Sequence, residues 1–227
     1  MKIKAKTALN AEFLRYLQER FAEPLPGASA WQPLMPAGRD LNVLPGLSPV
    51  ESAVLLLFAP IDASLFLLFI RRSEDGRIHG GQIGFLGGRA EPSDTDFWHT
   101  ALREASEETG INPAAIYKLG QLTPLYIPHS NFRVHPFVGY TLNRPIFHRQ
   151  TEEVDEILLI PFLKFFSQSS LTHDTFTTLR GNIKAPCFKI EDIKIWGATA
   201  MILNELISIA PNAEATLYED TPVLRYR

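Results

Sequence analysis

The apolar positions of this chain change spacing several times, and each change marks an element. Over 9–22 they recur with helical period, Leu14, Leu17 and Phe21 sharing one face and Asn10 standing as N-cap. From 23 to 49 the period is lost to six prolines, Pro24, Pro26, Pro33, Pro36, Pro45 and Pro49. This stretch predicts an irregular arm held to a domain by Trp31, Leu34 and Met35. The domain proper begins at Val50. Apolar runs at 53–59 and 65–70, separated by Pro60-Ile61-Asp62-Ala63, predict a hairpin whose two strands are central and covered on both faces. A charged loop follows over 71–77, then a short strand at 82–86 and a turn at Gly87-Gly88. A helix is predicted from Asp94, its N-cap, to Thr109, with Phe97, Trp98, Ala101, Leu102 and Ala105 facing the core and the glutamates off that face. Residues 114–122 lead into an extended segment at 123–128. A strand is predicted at 134–142, where Pro136 suggests an edge or a strand start. The apolar run 157–166 reads as a short helix around Pro161, 171–179 and 187–190 as strands. The run 193–209 reads as a last helix with Trp196, Ala200, Leu203 and Leu206 inward. The tail 211–227 has no assignable pattern. Strands and helices mix without regular alternation, which predicts α+β layering around a mixed sheet.

Composition narrows the class. A hydrophobic content of 45% with 21% charged residues suits a folded globular chain with a real core. The net charge of −3 does not suit a general nucleic-acid binder. The single cysteine, Cys187, excludes an internal disulfide framework, fits a reducing compartment and reads as a core residue between Pro186 and Phe188. No apolar segment follows the basic residues at the N-terminus, and no run reaches the roughly 18–20 residues that span a bilayer. The expectation is a soluble cytoplasmic protein that neither enters a membrane nor binds nucleic acid.

The end of the predicted motif helix is chemically unusual. In Arg103–Glu104–Ala105–Ser106–Glu107–Glu108–Thr109–Gly110, Glu104 is i,i+3 from Glu107 and i,i+4 from Glu108. Each like-charge pair costs roughly 0.2–0.5 kcal/mol, and the acids sit where the helix dipole is already negative. Gly110 is placed to stop the helix. Arg103 is i,i+4 from Glu107 and can hold its carboxylate. Acids gathered in this way suit a divalent cation: three carboxylates and a backbone carbonyl of the glycine pair, Gly88, offer the hard oxygen donors that magnesium takes.

The same segment resembles the Nudix box, G-x5-E-x7-R-E-U-x-E-E-x-G-U with U aliphatic. Arg103–Ile111 matches its second half, with Ala105 a small U. In the first half Asp94 stands where the box has Glu, and eight residues rather than seven separate it from Arg103, so the role of the first Glu is not carried over. Upstream, Arg72-Ser73 and His79-x-Gly81-Gln82-Ile83-x-Phe85-x-Gly87-Gly88 resemble the signature of the coenzyme A diphosphatase branch, with Leu86 in place of its Pro and Gly76 where the branch tends to carry Leu. Downstream, 125–139 (Leu-Tyr-Ile-Pro-x-Ser-x-Phe-x-Val-x-Pro-Phe-Val-Gly) and 195–200 (Ile-Trp-Gly-Ala-Thr-Ala) are similar to the same branch.

The resemblance implies an α/β/α sandwich with a central mixed sheet and the box as loop-helix-loop. It implies Mg2+ or Mn2+, and water attacking the pyrophosphate of coenzyme A or its thioesters to give 3′,5′-ADP and 4′-phosphopantetheine. By position, Glu104 and Glu108 become metal ligands and Glu107 a third ligand or a positioner of water, while Arg103 orients the carboxylates. A base is expected from a later acidic loop, and Glu153 is favoured within 151–156. Arg72 and Arg77 are expected to meet substrate phosphates, with His79 and Gln82 as further substrate contacts. The division expected is an N-terminal helix and Pro-rich arm (1–49), a Nudix domain (50–210) and a tail (211–227). Two alternatives stay open: the same chemistry on another nucleoside diphosphate derivative, such as NADH, ADP-ribose or a nucleoside triphosphate, and a silent nucleotide-binding regulator.

Overall fold

A computed structural model describes residues 2–36, 38, 41–43, 46–62, 64–74, 80–178, 181–211 and 221–227. Two strands buried on both faces form its centre. Strands β1 (Val50–Ile61) and β2 (Ser64–Arg72) pair antiparallel, with Ile61 opposite Ser64, so the hairpin turn is shorter than 60–63 and Pro60 lies within the ladder. Alternate side chains serve two cores. Leu56, Phe58, Leu67 and Phe69 point to one face, and Leu55, Leu57, Leu68 and Ile70 to the other.

The remaining strands extend this pair into one nine-stranded sheet. They are β3 (Ile83–Gly84), β4 (Leu86–Arg89), β5 (Ile116–Gln121), β6 (Leu125–Ile127), β7 (Phe132–Thr141), β8 (Val154–Pro161) and β12 (Leu224–Tyr226). The main path runs β12-β8-β2-β1-β7-β5, with β3 on β2, β4 on β1 and β6 on β7. The β1–β7 pair is parallel and the others are antiparallel, so the sheet is mixed as expected. A second, three-stranded antiparallel sheet, not foreseen from the sequence, consists of β9 (Leu171–Thr178), β10 (Gly181–Ile190) and β11 (Ile193–Trp196), with β10 central.

Helices cover both faces of the large sheet. Helix α3 (Phe97–Thr109) lays Ala101 and Ala105 on the Leu55/Leu57/Leu68 side. On the opposite side pack α1 (Lys2–Arg20) through Leu17, α2 (Ala28–Trp31) through Trp31, and α4 (Gly197–Ile209) through Ala200, Leu203 and Leu206. This is the expected α/β/α sandwich. Trp31 and Leu34 are buried and Met35 packs beside them, so the described part of the arm is held as predicted. Among the described residues no helix is long and apolar enough to cross a membrane.

Several elements differ from the sequence reading. Helix α1 begins before residue 9, so Asn10 lies inside it; Ala and Lys in 2–8 are good helix formers. Gly87 and Gly88 belong to β4, opposite Val54 and Ala53, and are not a turn. β7 is interior despite Pro136, because its outer partner changes from β5 to β6 around that residue. The run 157–166 is mostly strand β8, and only Phe162–Phe166, after Pro161, coils into a 3-10 turn. The last helix starts at Gly197: Ile193–Trp196 alternates buried and half-buried and pairs with β10. The end of the chain, unassigned from sequence, supplies edge strand β12.

Candidate active site

The site forms where α3 passes over β4. Asp96, not Asp94, caps the helix, its carboxylate accepting the His99 N–H at 2.7 Å. Gly110 takes the left-handed conformation and ends it, as predicted. The helix therefore aims Glu104, Glu107 and Glu108 in different directions. Glu108 points inward: it is 2% exposed, and Oε2 accepts the Gly87 N–H at 3.0 Å. This corrects the expectation that the glutamates all lie off the buried face. Glu104 is largely covered, and Glu107 reaches into solvent.

Gly87 and Gly88 make this approach possible. Gly87 has φ 146, and a Cβ there would lie 2.2 Å from the Ala53 carbonyl oxygen. A Cβ on Gly88 would fall 2.4 Å from the Glu104 carboxylate. The glycine pair thus lets β4 lie flat on β1 while carboxylates press on it from α3.

Arg103 organises the outer part. Its Nη1 donates to Glu104 Oε1 and to Glu107 Oε2, each at 3.0 Å. Nη2 donates to the Arg89 carbonyl at 3.0 Å and to Asp94 at 3.2 Å, and Nε to Asp94 at 3.1 Å. Asp94 also accepts the Thr100 hydroxyl and the Glu91 N–H. The Arg103 guanidinium holds the Asp94 carboxyl well below the usual range, and Asp94 in turn raises Arg103. Asp94 therefore acts as an anchor for Arg103 rather than as a helix cap. The signal for it was its position six residues after Gly88.

Burial dominates the inner carboxylates. It pushes Glu108 up to about 8, against the opposing pull of Arg72 and the Gly87 N–H, and Glu104 and Glu153 add to the rise. Glu104 is also raised, first by burial, with Arg103 opposing and Glu107 and Glu153 contributing. Glu153, on the exposed turn before β8, is thus electrostatically part of the same site; its carbonyl accepts the Ser73 N–H at 3.0 Å. Its neighbour Glu156 is no solvated acid: it is buried against Arg71, Arg225 and Arg227.

Among the described residues no three acidic or imidazole side chains are already gathered as a metal cage. The donors are nonetheless of the right kind. Burial disfavours the negative charge of Glu104 and Glu108, and neighbouring carboxylates add to this, Glu107 and Glu153 at Glu104 and Glu104 and Glu153 at Glu108, a conflict that a divalent cation would relieve.

Beside these acids opens a cleft of about 860 Å³. Arg72, Gln82, Gly87 and Gly88 border it, and Arg72 Nη2 donates to the Gly87 carbonyl at 3.3 Å. The cleft continues along 127–130 to Trp196 and the start of α4. Trp196, read as an inward helical residue, is half-buried at the end of β11 and borders the cleft. Arg77 and His79 lie outside the described residues.

A model of the NUDIX domain matches residues 49–178. An uncharacterized Nudix hydrolase, NudL, of Yersinia enterocolitica is 39% identical over 142 residues, 62% of this chain and 71% of the relative. A NudL of Pectobacterium atrosepticum is 33% identical over 170 residues, 74% of this chain and 88% of the relative. Among solved structures, the NUDIX domain of Shewanella oneidensis NrtR, complexed with ADP ribose, aligns at 20% identity and a TM-score of 0.43 over 54% of this chain and 80% of that one. With the domain match covering more than half of its length, this chain belongs to the Nudix family, hydrolases of pyrophosphate bonds in nucleoside diphosphate derivatives that generally use divalent metal ions.

Proposed function

We propose that the protein hydrolyses the pyrophosphate bond of coenzyme A or its thioesters, releasing 3′,5′-ADP and (acyl-)4′-phosphopantetheine. One observation carries the choice of substrate. The three stretches that resemble the coenzyme A diphosphatase branch, 72–88, 125–139 and 195–200, are far apart in sequence, and described residues of all three border the same cleft beside the acids. Its volume of about 860 Å³ suits a long ligand.

In this reading Glu104 and Glu108, with Glu107, would hold Mg2+ or Mn2+, and the Gly88 backbone would add an oxygen donor. A bound divalent ion would polarise the phosphoryl oxygens and neutralise the charge that develops on them. Arg103 orients Glu104 and Glu107 through its two bonds, and Asp94 fixes Arg103. Arg72 meets a phosphate, Gln82 lies along the same wall, and Arg77 and His79 belong to the same signature. Glu153 takes the proton from the attacking water, its exposed turn leaving room for solvent to reach it.

The test is product analysis with Mg2+ and with Mn2+ over coenzyme A, acyl-coenzyme A, NADH, ADP-ribose and nucleoside triphosphates. Release of 3′,5′-ADP from coenzyme A well above turnover of the others is expected. A preference for another member transfers the reading to that substrate, and no turnover of any of them overturns it.

A further inference from the structure

The second sheet raises a question that the acids and Arg72 leave open: what lies against the wall of the cleft that this sheet supplies. There Trp196 borders the cleft, while its indole stacks on Phe176 of β9 with ring centroids 4.4 Å apart and planes 12° apart. Phe176 does not border the cleft. One face of the indole is therefore covered by an aromatic ring, and the half-buried side chain is among those that line the cleft. Trp196 is also fixed by its backbone, opposite Cys187 in the β10–β11 ladder. The result is a flat apolar surface whose orientation is set before any ligand arrives.

We infer that Trp196, backed by Phe176, is the platform on which the nucleobase of the substrate stacks. The inference rests on the reading of the chain as a hydrolase of a nucleoside diphosphate derivative, and it adds which part of the substrate lies where. The diphosphate belongs at the end bordered by Arg72 and the glycine pair, where the charges are. The two remaining parts of such a substrate differ in shape. A purine is rigid and planar and gains from face-to-face contact with an indole, whereas a flexible aliphatic amide arm gains little from a flat surface. Asn182, from the turn end of β10, borders the same space; its Oδ1 accepts from the Thr177 hydroxyl, and its amide N–H groups suit an acceptor on the edge of a base. The three-stranded sheet then has a purpose: it carries the wall that selects the base.

Calorimetric titration of the full chain with ADP and, separately, with 4′-phosphopantetheine tests this. Trp196→Leu, which keeps an apolar side chain without the ring plane, should weaken ADP about ten- to hundredfold and leave 4′-phosphopantetheine within about twofold. Trp196→Phe should restore most ADP affinity. In turnover, Trp196→Leu should raise KM with kcat little changed. In the wild-type protein, the H2 and H8 resonances of bound ADP should move upfield from the ring current, a readout that does not depend on how a variant folds. Unchanged ADP affinity in Trp196→Leu, equal loss of 4′-phosphopantetheine, absence of the upfield shift, or no ADP binding by the wild type overturns the inference. ADP is shared by the adenine-containing candidates. If coenzyme A is not hydrolysed but ADP behaves as stated, the choice of coenzyme A fails and the platform stands.

Discussion

Glu108 is where burial and charge conflict most, and the sign of its effect on stability can be worked out. Burial raises its folded-state pKa to about 8, against about 4.3 in an unfolded chain. Between those values the folded state holds a proton that the unfolded state has lost. Its contribution is therefore fully present below about pH 4.3 and is lost as pH rises through about 8, at no more than about 1.4 kcal/mol per pH unit for one proton. Glu104 is shifted the same way and adds to the slope. In chelator-treated protein, denaturant melts should show stability falling from about pH 5 to pH 8. Glu108→Gln should flatten that fall, and added Mg2+ should stabilise the wild type most at the alkaline end, where the carboxylate form is available. The same variant should lose about 10²–10³-fold in kcat. A wild-type slope that Glu108→Gln leaves intact would sink this account. The spacing of Glu104, Glu107 and Glu108 was legible because a helix sets neighbours by period, and so was the Arg103–Glu107 pair. The inward turn of Glu108 depends on β4 lying beneath the helix, and the Asp94–Arg103 pair on the loop path before it. Neither follows from local periodicity.

At the scale of elements, the N-terminal arm is tied to the last helix by one buried acid. Glu205 of α4 is fully buried and accepts from the Gly27 N–H at 3.2 Å, the Trp31 indole N–H at 3.2 Å, and the Thr123 N–H and hydroxyl at 3.4 and 2.6 Å. It joins α2, α4 and the segment between β5 and β6. Glu205→Ala strands several of these donors in the interior and should cost about 3–5 kcal/mol, seen as a lower denaturant midpoint with unchanged slope; Glu205→Gln keeps an acceptor and should cost less than half of that. Activity per folded molecule should survive in Glu205→Gln, since Glu205 does not border the cleft and the acids of the site stand on α3, on the other face of the sheet. Equal stability of Glu205→Ala and wild type would mean that the arm is held by packing alone. The sequence showed that Trp31, Leu34 and Met35 hold the arm but gave no hint of the acid beneath. It also misread two apolar runs as helix. In 193–196, Ile-Lys-Ile-Trp alternates with strand period, a signal submerged by the helical run that follows; in 157–161, strand and buried helix look alike in so short an apolar stretch.

The whole molecule closes its large sheet with its own C-terminal strand, and this closure reaches the active site. β12 covers the outer edge of β8 and brings Arg225 and Arg227 to the buried Glu156, beside Arg71 of β2. On its inner side β8 pairs with β2, and the register shifts between Arg71 and Arg72, opposite Glu156 and Val154. That bulge lies between the closed edge and the cleft: Arg72 borders the cleft, and the turn just before Val154 carries Glu153. Edge, bulge and site are thus three neighbouring parts of one ladder. Deleting 221–227 would leave Glu156 with one arginine and expose the apolar strand β8 as a free edge. The deletion should lower the denaturant midpoint, promote aggregation, and reduce kcat more than Arg227→Ala does. Arg227 is 76% exposed, so its single loss should cost less than about 1 kcal/mol. If the shortened chain keeps both its midpoint and its turnover, β8 holds Arg72 and Glu153 without help from β12. If turnover falls while the midpoint holds, the ladder transmits position rather than stability, and substrate titration should show the loss as weaker binding at Arg72.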